Sequence, residues 1–280
     1  MSRRQRADCA FAALRRVIPE PETELAYQDP WQLLVAVVLS AQCTDERVNQ
    51  VTPRLFERFP DAASMAAATQ EDIFPLIRSI SYPNNKASHL AKASRILMED
   101  FGGIVPETVE ELIRLPGVGR KTAQVVVSVA FQVPALAVDT HIFRVAHRLG
   151  LVGADATTPD KVERQLKRLL PIEEWGDAHH LLILHGRYTC TARSPQCDAC
   201  AASACCPWKA ALDKLPAPRP DLDVKKGRFY CATRHHYFDE PDLVTDRMDV
   251  EQVSCPRCGS MNVFDARFGR TTKQIKDYRV

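Results

Sequence analysis

Leu115-Pro116-Gly117-Val118-Gly119-Arg120-Lys121 is a glycine-bearing turn between two helical stretches, Thr108 to Leu115 and about Arg120 to Phe131. Glycine there permits positive φ and a close approach to another surface. The helix that follows presents unpaired N–H groups and the positive end of its dipole, which makes the turn a ready phosphate site. Such a contact carries no base-sequence information. Taken alone, the same seven residues are also an ordinary helix–helix turn.

Helical patterning extends outward on both sides. Upstream, Trp31 to Ser40 is strongly apolar, and Asp45 to Phe59 carries Val48, Val51, Leu55, Phe56 and Phe59 at helical spacing. Asp61 to Ala68 and Gln70 to Ile80 are short helices, and Asn85 to Phe101 closes on Gly102-Gly103. A lead-in helix, Ala10 to Val17, stops at Pro19-Glu20-Pro21. Downstream, Ala137 to Leu149, Thr158 to Leu170 and Trp175 to Gly186 are helices too. No period-two alternation occurs before the tail, so the fold class is all-α. Residues 190–206 form a cysteine-punctuated loop, and Leu215-Pro216-Ala217-Pro218-Arg219-Pro220 is a linker. The remaining sixty or so residues are aromatic and short-segmented, with Arg228-Phe229-Tyr230 and Asn262-Val263-Phe264 as candidate strands.

Composition narrows the class. The 280 residues are 45% hydrophobic and 26% charged, as expected of a globular chain, and no apolar run reaches membrane-span length. Met1-Ser2-Arg3-Arg4-Gln5-Arg6 leads into no apolar export segment, so a cytoplasmic location is expected. The net charge of +2 does not by itself demand a nucleic-acid partner. Ten cysteines in a reducing compartment point to metal rather than to a disulfide framework.

Two further constellations carry chemistry. Val138-Asp139-Thr140-His141 follows Lys121 by eighteen residues, and the chain must turn back for Asp139 to meet Lys121. A lysine amine attacks an electrophilic sugar carbon only when unprotonated, and a helix N-terminus beside Arg120 works against its charge. An aspartate nearby can take up a proton or stabilise developing positive charge. From spacing alone, Lys121 is a solvated lysine and Asp139 a helix N-cap. The other constellation is Cys190-x6-Cys197-x2-Cys200-x5-Cys206, four thiolates within seventeen residues. That density suits an iron–sulfur cluster, with tetrathiolate zinc as the competing metal.

Residues 115–121 followed by Val138-Asp139-Thr140-His141-Ile142-Phe143-Arg144 resemble the helix-hairpin-helix and Gly/Pro-Asp signature of DNA glycosylases. The cysteine spacing at 190, 197, 200 and 206 is similar to that of the endonuclease III family. Leu39-Ser40-Ala41-Gln42, Thr44-Asp45 and Leu184-His185-Gly186-Arg187-Tyr188 resemble it as well. The likeness covers about residues 10–210.

That resemblance implies a six-helix barrel with the hairpin at 29–133, and an iron–sulfur lobe made of 1–28 and 134–212. Residues 213–280 would be a linker and an appendage the family core does not need. It implies a bifunctional DNA glycosylase and abasic-site lyase that removes oxidised pyrimidines. Lys121 would be the nucleophile and Asp139 its partner, with one 4Fe–4S cluster on Cys190, Cys197, Cys200 and Cys206. Gln42, Tyr82, Leu115, Gly117, Gly119, Arg120 and Arg193 would meet double-stranded DNA carrying damaged bases or abasic sites. The protein would be a monomer, nucleoid-associated when on DNA. The loop Ile80-Ser81-Tyr82-Pro83-Asn84-Asn85-Lys86 departs from the family's glycine-led loop with a leucine wedge, which puts lesion preference in question. Adenine glycosylases of the mismatch-repair type share fold and cluster but lack the matching lysine. The alternatives are thus a monofunctional mismatch glycosylase for adenine or for thymine and uracil, and a non-catalytic damage-binding module.

The tail has its own reading. Cys255-Pro256-Arg257-Cys258-Gly259 is a knuckle offering two thiolates, and Cys231 with His235 or His236 completes a zinc-ribbon-like set. The remaining residues have plainer readings. His141, His147, His179, His180 and His185 are expected to pack or hydrogen-bond, Cys9 and Cys43 to be small buried residues, and Trp31 and Trp175 to be core. Arg164, Lys167 and Arg168 read as a solvated face.

Overall fold

The computed structural model describes residues 1–213 and, beyond them, 229–231, 233, 236–238, 242–245, 251–258 and 263–265. The helices before the turn are α1 (Arg3–Val17), α2 (Pro30–Ser40), α3 (Asp45–Arg58), α4 (Ala62–Ala66), α5 (Gln70–Ile77), α6 (Pro83–Phe101) and α7 (Val109–Leu112). After it come α8 (Arg120–Phe131), α9 (Thr140–Arg148), α10 (Pro159–Leu169), α11 (Trp175–Tyr188) and α12 (Pro207–Asp213).

Local capping explains where these helices differ from their sequence expectation. Helix α1 starts seven residues early because Ser2 and Gln5 form a reciprocal capping box. Helix α9 starts three residues late: the Asp139 carboxylate accepts the Ile142 N–H at 2.7 Å and fixes the N-cap there. Leu136, Ala137 and Val138 are therefore not helical but a buried lead-in.

The helices enclose two apolar cores. One gathers Trp31 to Leu39, Val48, Leu55, Ile73, Ile77, Leu90, Leu97, Leu112, Leu115, Val118 and Val126, and reaches Leu25 and Ala135 at its ends. The other combines Ala7 to Leu14 of α1 with residues of α9, α10 and α11, plus Ala202 and Cys205. The chain start thus packs against its second half. Burying a Leu or Phe side chain is worth about 1.5–3 kcal/mol, so separating α1 from this core would cost several such terms.

Cysteine and tryptophan placement corrects the sequence reading in places. Cys9 is half-buried rather than buried, and it is disulfide-bonded to Cys205, 196 residues away. Cys43 is half-buried as well. Trp31 is core, edge-on to Phe56, whereas Trp175 lies at the margin and donates to Leu170 O.

In the tail, β1 (Phe229–Cys231) pairs antiparallel with β2 (His236–Phe238) and with β5 (Val263–Asp265), Tyr230 facing Phe264. Strands β3 (Asp242–Thr245) and β4 (Glu251–Ser254) form a separate antiparallel pair. No helix among the described residues is long and apolar enough to cross a membrane.

Candidate active site and metal centres

The hairpin is held by close backbone packing. Gly117 has φ 84, and a Cβ there would lie 2.9 Å from His89 Cβ of α6. Val118 N donates to Leu115 O at 3.0 Å, closing the turn. Gly119 is the N-cap of α8, and no side chain caps that helix. Gly117, Gly119, Arg120 and Lys121 are all exposed. Leu115 is 2% exposed, its side chain in the first core, and its N–H and C=O are taken up by Leu112 O and the Val118 N–H.

Lys121 and Asp139 line one cleft of about 430 Å³, together with Gln42, Thr122, His141, His179, His180 and Arg187. The chain thus returns after α8 to bring Asp139 to the same cleft as Lys121. One Asp139 oxygen holds the α9 cap. His179 is 3% exposed at the cleft wall; burial, then neighbouring His180, pushes its imidazole down to about 3, with Asp139 pulling the other way. The ring is neutral at physiological pH. Sequence reading placed His179 and His180 as packing groups and missed that they face the cleft; adjacency of the two was the only local signal.

Ionic contacts between residues far apart in sequence hold the cleft and its surroundings together. Arg187 pairs with Glu24 and Asp45, and the Tyr188 hydroxyl donates to Glu24. Desolvation opposes the Arg187 charge, but the Asp45 and Glu24 carboxylates outweigh it and raise the guanidinium above its usual range. Glu163 of α10 is 7% exposed and receives Gln124 at 3.0 Å, Lys167 at 2.6 Å and Arg120 at 3.5 Å. Lys167 also stacks on Trp175, so that residue of the basic run is engaged rather than merely solvated. Tyr82 is 61% exposed at the start of α6.

The second site lies past the C-terminal end of α9, beside Leu149. Cys190, Cys197, Cys200 and Cys206 line a common small cavity with His185 and Trp208. Burial first, and then thiol–thiol proximity, raises Cys197, Cys200 and Cys206. Four thiols around one cavity are the donor set that an iron–sulfur cluster takes, so these residues fit such a group. Two arginines of the Gly/Pro-Asp segment hold this loop. Arg144 donates to Gly186 O at 2.8 Å and Cys190 O at 3.0 Å, and Arg148 to Thr191 O at 2.7 Å. Gly186 lets α9 approach: a Cβ there would meet His141 Cβ at 2.9 Å. Arg193 is exposed on the same loop and outside the cleft.

In the tail, Cys231, Cys255 and Cys258 are fully buried with their sulfurs within 4.8 Å of one another. Cys258 N turns back to Cys255 O at 3.3 Å, the knuckle read from sequence. His235, expected as a fourth ligand, lies outside the described residues.

Two helical cores thus carry the glycine hairpin and a cleft lined by Lys121 and Asp139. Residues 35–171 match the model of the HhH-GPD superfamily base excision DNA repair proteins. Endonuclease III of Synechocystis sp. is 46% identical over 207 residues, covering 74% of this chain and 94% of that protein. Endonuclease III of Escherichia coli is 45% identical over 200 residues, covering 71% and 94%. A solved structure described as a trapped endonuclease III–DNA covalent intermediate superposes with a TM-score of 0.71 at 44% identity, over 75% of this chain and 98% of that one. The chain belongs to the endonuclease III family of base-excision-repair DNA glycosylase/abasic-site lyases, and the family implies an iron–sulfur cluster.

Proposed function

We propose that this chain acts as a monomer on double-stranded DNA in the cytoplasm, at the nucleoid, removing oxidised pyrimidines and nicking the resulting abasic site. The observation that carries the reading is Lys121, exposed in the first turn of α8, sharing one cleft with the α9 N-cap Asp139. Residues 29–133 serve as the barrel, 1–28 with 134–212 as the cluster lobe, and 213–280 as linker and extension.

The damaged nucleotide is flipped into the cleft. The Lys121 amine attacks C1′, an N–C1′ bond forms, and the base departs with a proton passed through Asp139. The resulting ring-closed aminal opens as the C1′–O4′ bond breaks and O4′ takes up a proton, which leaves a Schiff base at C1′. Loss of a C2′ proton then breaks the C3′–O bond, the 3′ phosphate leaves, and water frees the lysine. Backbone amides of Gly117 and Gly119, with Arg120, hold phosphate, on a turn that buried Leu115 anchors in the core. Arg193 meets phosphate from the cluster loop. Gln42 fills the space the base leaves, and Tyr82 stacks against the opposite strand.

A panel of duplexes with defined lesions tests this. Release of oxidised pyrimidines with strand nicking is expected. Adenine or thymine release that leaves the abasic strand intact would instead mark the monofunctional enzyme, and binding without cleavage the non-catalytic module.

The two cysteine sets hold different metals. Cys190, Cys197, Cys200 and Cys206 hold one 4Fe–4S cluster, which when bound supplies structural bonding to the loop carrying Arg193. Cys231, Cys255 and Cys258 give three of the four ligands structural zinc takes, with His235 as the fourth from its Cys-x3-His spacing. Purified full-length protein should be yellow-brown, with about four irons and one zinc per chain. Cys255→Ser should lose zinc and keep iron; Cys200→Ser should lose iron. A folded, active chain without iron contradicts the first site, and an iron-loaded chain without zinc disposes of the second.

A further inference from the structure

Gln42 and Tyr82 lie on different segments, one in the turn after α2 and the other just before α6. Both have left-handed backbones, φ 57 and φ 56. Non-glycine residues keep that conformation only where their surroundings enforce it. The enforcing contacts here run between the two segments. Lys86, in the first turn of α6, is 6% exposed and sends its Nζ to Leu39 O at 2.8 Å and Ala41 O at 2.6 Å. Within the α6 segment itself, the Lys86 N–H donates to the N-cap carbonyl of Tyr82 at 3.1 Å. Ser81 Oγ donates to Gln42 O at 2.7 Å.

The chemistry of these contacts is specific. The last carbonyls of a helix lack intrahelical donors and carry partial negative charge. At the end of α2, Val37 O takes Ser40 Oγ at 2.9 Å, Ser40 O takes Cys43 N at 3.0 Å, and Lys86 satisfies Leu39 and Ala41. Burial lowers the Lys86 ammonium, with Cys43 opposing. A buried cation costs free energy unless it is held, so its place here reflects these two carbonyls rather than packing of its stem. One turn further along α6, His89 packs under Gly117. The same helix therefore carries the lock and supports the phosphate hairpin.

We propose that Lys86 and Ser81 are positioning residues that join Gln42 and Tyr82 into one rigid two-pronged unit, presented to the duplex as a whole. This rests on the reading that Gln42 and Tyr82 enter the duplex. Preorganised prongs lose less conformational freedom on binding than two independent loops. Effects of changing them should therefore be coupled, as for residues of one network.

The measurement is affinity of the full-length protein for a duplex holding a tetrahydrofuran abasic analogue, divided by that for the intact duplex. Tyr82→Ala should lower this ratio by about tenfold, the scale of one lost stacking contact. No change there overturns the prong reading, and the lock with it. Given a Tyr82 effect, Ser81→Ala should lower the ratio by roughly three- to tenfold, the range of a lost hydrogen bond, and Ser81→Thr, which keeps the hydroxyl, should restore it. Lys86→Met should lower it further and make the Gln42→Ala and Tyr82→Ala effects additive, where in the parent protein they are coupled. If Lys86→Met does not fold, the Ser81 pair decides alone. Folded Ser81→Ala with an undiminished ratio, beside a clear Tyr82 effect, overturns the lock and leaves the prongs standing.

Discussion

Lys121→Gln is expected to yield no covalent product when borohydride is added with abasic DNA, where the parent protein is trapped in full. The amine is the only group of this side chain able to form a bond to C1′, and glutamine offers no nucleophile in its place. The substitution is otherwise mild. Lys121 is exposed, so no packing is lost, and glutamine is a helix former of similar propensity. Binding to duplex should fall by no more than about tenfold, the scale of one exposed charge worth about 1 kcal/mol. Undiminished trapping in this variant would remove Lys121 from the mechanism; loss of trapping together with loss of all binding would show a hairpin disrupted rather than a nucleophile removed.

Asp139→Asn should lower turnover at saturating DNA by about 10²-fold or more, roughly 2.7 kcal/mol in barrier, the scale of a positioned acid–base group. The choice of asparagine matters because Asp139 also caps α9 through the Ile142 N–H. Asparagine caps as well as aspartate does, so the fold is preserved while charge and proton acceptance are lost. Asp139→Ala removes the cap too and should cost about a further 1 kcal/mol of stability. Normal cleavage by a folded Asp139→Asn protein would reduce the residue to its capping role.

Much of the candidate site is legible because its signals are local. The span of α8 was read as it stands, since glycine before Arg120 and the apolar spacing behind it depend on a few neighbouring residues. The knuckle at Cys255 and Cys258 is legible for the same reason: two thiolates three residues apart on a turn are already aimed at one point. Tyr230 and Phe264 are different. Each lies in a recognisable aromatic segment, but their pairing across β1 and β5 is a matter of register between distant strands.

Side-chain partnerships over long separations were not legible. Nothing local marks Glu163 as the acceptor for Arg120, Gln124 and Lys167, because a glutamate on an amphipathic helix reads as solvated until another helix covers it. Leu115 belongs to the hairpin motif, and only packing shows that its side chain lies in the core.

By itself, the sequence determined the helical class, the glycine hairpin and the cysteine spacing, all of which rest on periodicity or on residues a few positions apart; Lys121 stood out only through the family resemblance. Only the tertiary structure decided that Lys121 and Asp139 share a cleft walled by His179, that Arg187 spans to Glu24 and Asp45, that Cys9 meets Cys205, and that Lys86 reaches back to the end of α2. The physical reason is one of range: backbone propensity and chelate spacing are short-range, whereas a buried ion or a paired thiol finds its partner only when apolar faces have packed and set the distance between helices.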